Sequence, residues 1–169
     1  HIAADALALA ATWSAASRRD RVLAQEEEDA GWKAVNDAAA PADSLLRSAL
    51  ARYRQLGERR REAWTLGRLG GVYLTRGRLV EADSIDRIAL ASRRALGDSA
   101  LVGRSLNDLG QVALKRTHFA EAVAWLQMYV DMVKAGTVDK KVLVTDQDRD
   151  GLDLFTTGTG NIIKAMKAR

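Results

Sequence analysis

The sequence predicts an all-α protein, a solenoid of antiparallel helix pairs, and three observations support this prediction. The segment Ala42–Ala51 recurs forty residues later as Ala82–Ala91, with seven of ten positions identical. The pair Leu69-Gly70 recurs as Leu109-Gly110 at the same spacing. The chain contains one proline, which permits long helices because an interior proline costs about 3 kcal/mol. A fixed period of this length is typical of stacked repeats rather than of one globular domain.

The predicted elements follow this period in chain order. Residues 3–17 form one helix, the second half of an incomplete unit. The first whole unit, about 20–57, pairs a helix from Asp20 to Asp37 with one from Pro41 to Leu56. Pro41 lies in the first turn, where its missing N–H is harmless. The second and third units span about 58–97 and 98–136, so the repeat array occupies residues 1–136.

Each unit is predicted from the spacing of its apolar residues. In the second unit, one helix face is formed by Leu66, Leu69, Val72 and Tyr73, and the next helix carries a stripe of Leu79, Ala82, Ile85, Ile88 and Ala89. Gly77 and Gly97 end these helices by taking a positive φ. The third unit pairs a helix from Ser99 to Lys115 with one from Phe119 to Ala135. Small residues such as Gly70 and Gly110 recur where two helices must approach closely.

These residues resemble the tetratricopeptide repeat. Its pattern is a Leu-Gly pair, an aromatic residue and small residues in the second helix, matched by Leu69-Gly70, Tyr73, Gly77, Ala82 and Ala89 and less fully by Leu109-Gly110, Phe119 and Ala122. The forty-residue period resembles the longer-helix variety of kinesin light chains and of bacterial regulators whose repeats end in Leu-Gly-Asp. The resemblance covers about residues 20–135. It implies a right-handed solenoid whose first helices line a concave, peptide-binding face.

Transferring the groove positions of the family gives one set of side chains in each of the last two units. They are Trp64, Arg68 and Gly71, followed by Arg104, Asn107, Gln111 and Lys115. The resemblance implies that Asn107 grips a peptide backbone, because an amide both donates and accepts hydrogen bonds. The basic members favour an acidic peptide or a C-terminal carboxylate, whereas Glu27 and Glu28 make the groove bipolar. The alternative is a polar stripe that only faces solvent.

Residues 137–169 break the repeat pattern and form a separate predicted segment of strand, loop and short helix. The loop carries carboxylates at Asp146, Asp148, Asp150 and Asp153 around a glycine. It resembles the calcium loops of EF-hands and of FG-GAP propeller repeats, since a Ca²⁺ ion takes several carboxylate oxygens on a tightly curved loop. Thr157 stands where an EF-hand has its closing acid. Two interpretations stay open, a Ca²⁺ site and a solvated acidic loop.

Composition excludes several function classes. With no cysteine and two histidines, the chain offers no thiolate chemistry and no histidine cluster for zinc. The net charge of +4 is mild, and the basic runs at predicted helix ends are typical of a solvated rim. The acidic run Glu26–Asp29 opposes a nucleic-acid groove. No apolar run approaches the ~20 residues that a membrane span needs.

The sequence therefore predicts a non-enzymatic protein- or peptide-binding repeat module, part of a larger regulatory or scaffold protein of a bacterial type. Two alternatives remain. One is a calcium-binding structural or adhesive module that uses the 146–153 loop. The other is the sensor arm of a multi-domain enzyme, such as a caspase-like protease, whose catalytic domain would lie outside this chain. A cytoplasmic location is favoured unless the loop binds calcium, which favours an extracytoplasmic one.

Overall fold

The computed structural model describes residues 8–37 and 41–138. Residues 8–11 belong to helix α1, and six helices follow: α2 (Ala15–Lys33), α3 (Ala42–Gln55), α4 (Arg59–Thr75), α5 (Leu79–Ala95), α6 (Ser99–Lys115) and α7 (Phe119–Lys134). The described residues contain no strand, and neighbouring helices pack in pairs, which confirms the predicted all-α fold class. The chain forms two compact units, His1–Ser92 and Arg93–Arg169, whose boundary falls inside α5.

In the first unit, α3 packs between α2 and α4, and α2 also touches α4. Ala24 of α2 is buried against Ala49 and Tyr53 of α3. Further along the unit, a second cluster joins α3, α4 and α5 through Leu50, Leu66 and Ala89. Alanine at these contacts lets the helix axes approach closely.

In the second unit, α6 packs against α7. Helix α6 contributes apolar residues to the core, including Leu106, Leu109 and Val112, all buried. Tyr129 of α7 is also buried, at a position where the preceding repeats have alanine. Gly103 makes room for Val138, because a Cβ added there would lie 3.1 Å from its Cγ2, whereas the Tyr129 ring would be at an ordinary contact distance of 3.6 Å.

The helices from α3 to α7 end in one recurring turn. Four of these turns place a glycine at a φ of 66° to 71°, at Gly57, Gly77, Gly97 and Gly136. The fifth places Thr117 at a φ of 60°, which strains a β-branched residue. The N–H of the next residue reaches back to a carbonyl five residues earlier, as His118 N does to Ala113 O at 2.9 Å. This Schellman geometry satisfies carbonyls that the helix end leaves free.

The predicted helix over residues 3–17 is wrong at its C-terminal end. Helix α1 ends at residue 11, and the Ser14 hydroxyl caps a new helix by accepting a hydrogen bond from Ser17 N at 3.1 Å. Helix α2 consequently begins at Ala15 rather than at Asp20, and it ends at Lys33 rather than at Asp37. The error arose because the alanine-rich start has no apolar period to locate the break.

Ile88 does not lie on the buried stripe of α5, as the apolar pattern predicted. Its side chain is 46% exposed, whereas Asp86 is 2% exposed and Arg93 is 1% exposed. Asp86 and Ala89 follow Ala82 by four and seven residues, the spacing of one helix face, and Ile88 follows it by six. The buried face includes two charged side chains, which a search for apolar residues passes over.

The predicted strand, aspartate loop and short helix of the C-terminal segment lie outside the described residues, which end at Val138. The boundary at residue 136 therefore stays a prediction. Within the described helices, none combines the length and the apolar character that crossing a membrane requires.

Candidate binding surface on the first helices

Three glycines locate equivalent positions on α2, α4 and α6, the first helices of the three pairs. Each faces the second helix of its own pair so closely that a Cβ would overlap a buried side chain. The overlaps are Gly31 with Leu46 Cγ at 2.9 Å, Gly70 with Asp86 Cγ at 2.7 Å, and Gly110 with Leu126 Cγ at 2.7 Å. Each glycine thus marks the side of its helix that packs within its own pair.

Counting from these glycines shifts the register of the first pair by one residue. Gly31 and Gly70 are 39 residues apart, whereas Gly70 and Gly110 are 40 apart. Asp29 is therefore the equivalent of Arg68, and Asp108 is the equivalent in α6. A period of forty residues would instead make Glu28 the equivalent of Arg68 and would place Glu27 in the groove as well.

Glu27 faces α3 instead of a groove. Its carboxylate accepts hydrogen bonds from Ser48 Oγ at 2.9 Å and from Arg52 Nε at 3.2 Å. The neighbouring residue, Glu28, is fully buried and accepts a hydrogen bond of 2.8 Å from the Tyr53 hydroxyl. Both carboxylates thus join α2 to α3, which the sequence did not reveal.

Arg68 lies between two tryptophan rings. Its Cζ is 5.4 Å from the ring centroid of Trp32 on α2 and 5.7 Å from that of Trp64 on its own helix. Both separations lie within the range of cation–π attraction, about 6 Å. Gly71 lies beside this arrangement, and a Cβ added there would make an ordinary contact of 3.4 Å with the Trp32 ring. The structure thus brings the predicted residues Trp64, Arg68 and Gly71 together, with Trp32 added.

Two carboxylates balance the charge of Arg68. Its Nη1 lies 3.4 Å from Glu28 Oε1 and 3.4 Å from Asp29 Oδ1. A hydrogen bond from Gln25 holds the pKa of Asp29 below its usual value. Partial burial opposes this shift, and the Arg68 guanidinium adds to it. Because Arg68 is already paired, it offers little net attraction to an acidic ligand.

The four predicted residues of the second unit follow one another on α6. Arg104, Asn107 and Gln111 are partly exposed, and Lys115 is exposed. Their spacing of three and four residues places them on successive turns. The side chains of Gln111 and Lys115 make no hydrogen bond or ion pair within the part of the chain that the structure describes. Their role in binding stays a prediction.

Asp108 belongs to this surface, although the sequence analysis missed it. Burial raises the pKa of its carboxyl to about 6, while Arg93 and Arg104 and a hydrogen bond from Asn107 oppose the shift. The repeat period could have identified Asp108, because it lies forty residues after Arg68. Its charge offsets that of Arg104 when it is ionised.

We expect the free energy of unfolding to depend on pH through the ionisation of Asp108. The native carboxyl holds its proton up to about pH 6 and the unfolded one only up to about 3.8. Between these values the native state binds more protons, so stability falls as pH rises, by about 1–3 kcal/mol in all. Asp108→Asn lacks this ionisation. In urea denaturation, its free energy of unfolding should therefore rise relative to that of the wild type between pH 4 and pH 7.

Asp29→Asn is the matched control for this measurement. The lowered pKa of Asp29 places its titration below pH 4, so its difference from the wild type should be constant between pH 4.5 and 7. A constant difference for Asp108→Asn over the same range would contradict the raised pKa.

No metal centre is formed by the described residues, in which no three histidine, aspartate or glutamate side chains come together as ligands. Asp146, Asp148, Asp150 and Asp153 lie outside those residues, so the calcium loop stays a prediction. His118 is exposed, and its Nδ1 lies 3.4 Å from Glu121 Oε2 across one turn.

The fold and this surface define an all-α array of helix pairs with polar residues on its first helices. Residues 61–135, nearly all of the second pair and all of the third, match the family model described as tetratricopeptide repeat. These two helix pairs are therefore tetratricopeptide repeats, a family that supports protein–protein interaction. A search among curated proteins gives no match.

Proposed function

We propose that this protein is a non-enzymatic module that binds an extended peptide of a partner protein along the polar stripe of α6, within a larger regulatory or scaffold protein. The observation that carries this proposal is that Gln111, which is partly exposed, and Lys115, which is exposed, make no hydrogen bond or ion pair inside the described chain. Polar groups with no internal role on a rigid helix are suited to binding from outside. The tetratricopeptide family supports a protein partner.

The charge of the surface favours a nearly neutral peptide with one acidic anchor. Arg68 is offset by Glu28 and Asp29. Asp108, when it is ionised, offsets part of the combined charge of Arg93 and Arg104. Lys115 is the cation of the predicted set without such an offset, so it would take a carboxylate of the peptide. Gln111 would bind the peptide backbone through its amide. Asn107, predicted for the same role, has a buried Oδ1 and is hydrogen-bonded to Asp108.

The test is a selection of peptides from a random displayed library, followed by affinity measurement on each variant. We expect Gln111→Ala combined with Lys115→Glu to weaken binding of the selected peptides at least tenfold without changing the melting temperature. Lys134→Glu, the same charge reversal at an exposed position of α7, serves as the control. Peptides that bind both variants like the wild type would show that α6 is not the binding surface.

A further inference from the structure

We propose that Trp32, Trp64, Glu28 and Asp29 form a cage for a cationic side chain, which the chain fills with its own Arg68 and which an arginine or lysine of a partner can enter instead. The inference rests on the proposed function, because Trp64 and Arg68 belong to the same predicted peptide-binding surface. It adds a second kind of recognition, for a basic residue, to the amide and carboxylate contacts of α6.

The aromatic walls of the cage come from two helices. Trp32 extends from α2 and Trp64 from α4, and Arg68 Cζ lies 5.4 Å and 5.7 Å from their ring centroids. Several aromatic rings close to one cation are the arrangement by which proteins recognise ammonium and guanidinium groups. Arg68 therefore marks the place where a ligand cation would lie.

The floor of the cage is a buried carboxylate with an unused acceptor. Glu28 is fully buried, and its Oε1 accepts no hydrogen bond within the described residues. The nearest cationic atom, Arg68 Nη1, is 3.4 Å away. Charge-assisted hydrogen bonds are usually about 2.7–2.9 Å long, so Arg68 fits this acceptor loosely. A cation that entered from a partner could approach Oε1 more closely.

The rim of the cage is open to a ligand. The Asp29 side chain is 48% exposed, and its Oδ1 is 3.4 Å from Arg68 Nη1. The Arg68 side chain keeps 20% of its surface exposed, so its long stem can swing into solvent. Arg61, whose Nη1 is 3.8 Å from Glu28 Oε2, would continue to compensate the buried charge. Displacement of Arg68 therefore leaves no isolated ion behind.

The experiment compares the wild type with Arg68→Ala in calorimetric titrations with N-acetyl-arginine methylamide. Removal of the internal occupant should lower the Kd for this probe at least tenfold. Asp29→Asn or Trp32→Phe, added to Arg68→Ala, should reverse most of the gain. Arg47→Ala, which removes an arginine stacked on Tyr73 rather than on the tryptophans, should bind the probe like the wild type.

The proposal of a cage would be overturned if the wild type and Arg68→Ala bound the probe with equal affinity. It would also be overturned if neither Asp29→Asn nor Trp32→Phe weakened binding of the probe to Arg68→Ala. If Arg68→Ala does not fold, Arg68→Gln keeps the length of the side chain without its charge, and the same tenfold gain is expected. The probe needs no partner peptide, so a failure here is separate from a failure of the α6 stripe. That stripe is tested by Gln111 and Lys115, which lie outside the cage.

Discussion

Replacement of Gly110 by leucine is expected to lower the free energy of unfolding by about 3 kcal/mol. A Cβ at this position would lie 2.5 Å from Leu126 Cδ2 and 2.7 Å from its Cγ. Leu126 is buried, so it has no space into which to move. Overpacking of a closed helix contact costs about 1–3 kcal/mol, and a leucine forces the helices apart over its whole length. Urea denaturation followed by far-ultraviolet circular dichroism measures the loss.

Alanine substitutions at two glycines provide the matched comparison. Gly110→Ala should destabilise, although alanine favours a helix over glycine by about 1 kcal/mol. Gly71→Ala meets the Trp32 ring at 3.4 Å, an ordinary contact, so it should leave stability unchanged or raise it. If both alanine variants were equally stable, the close contact between α6 and α7 would not exist as described.

Removal of the buried carboxylate in Glu28→Ala is expected to cost about 3 kcal/mol. The Tyr53 hydroxyl, itself buried, would lose its hydrogen-bond acceptor, and Arg68 would lose one of its two counter-charges. Breaking one partner of a buried ionic network is costly because the remaining groups stay desolvated. A cavity where the Glu28 side chain was adds to the loss.

The adjacent residue supplies the control for this prediction. Glu27→Ala removes the same atoms from a partly exposed site, where its pairing with Arg52 contributes about 1 kcal/mol or less. In a Tyr53→Phe background the cost of Glu28→Ala should shrink, because the orphaned hydroxyl is gone. If Glu28→Ala lowered the free energy of unfolding no more than Glu27→Ala does, the buried network of Glu28, Tyr53 and Arg68 would be contradicted.

The repeat period predicted the last four helices closely because each carries its own start and stop signals. The predicted helix from Ser99 to Lys115 agrees with α6, and the one from Phe119 differs from α7 by one residue at its end. Helix α2 was predicted poorly, since its start depends on a single cap, Ser14, and its register on a 39-residue spacing, whereas the helix from Pro41 to Leu56 differs from α3 by one residue at each end. A pattern read by period alone cannot detect a shift of one residue.

The candidate surface was predicted in part. The stripe of α6 followed from transferred positions, and the structure places those side chains on successive turns. The carboxylates that neutralise Arg68 could not be predicted, because Glu28 and Asp29 come from another helix and meet it through packing. Asp108 was missed because its raised pKa results from burial, which a sequence does not display.

The left-handed turns that end the helices also give the chain natural points of division. From Gly57 to Thr117 they fall every twenty residues, at Gly57, Gly77, Gly97 and Thr117. A cut or a join made in one of these turns leaves each helix whole, with its own terminating signal attached. An array with this spacing can gain or lose a helix pair by recombination in steps of forty residues. The same turns are where fragments for expression should begin and end.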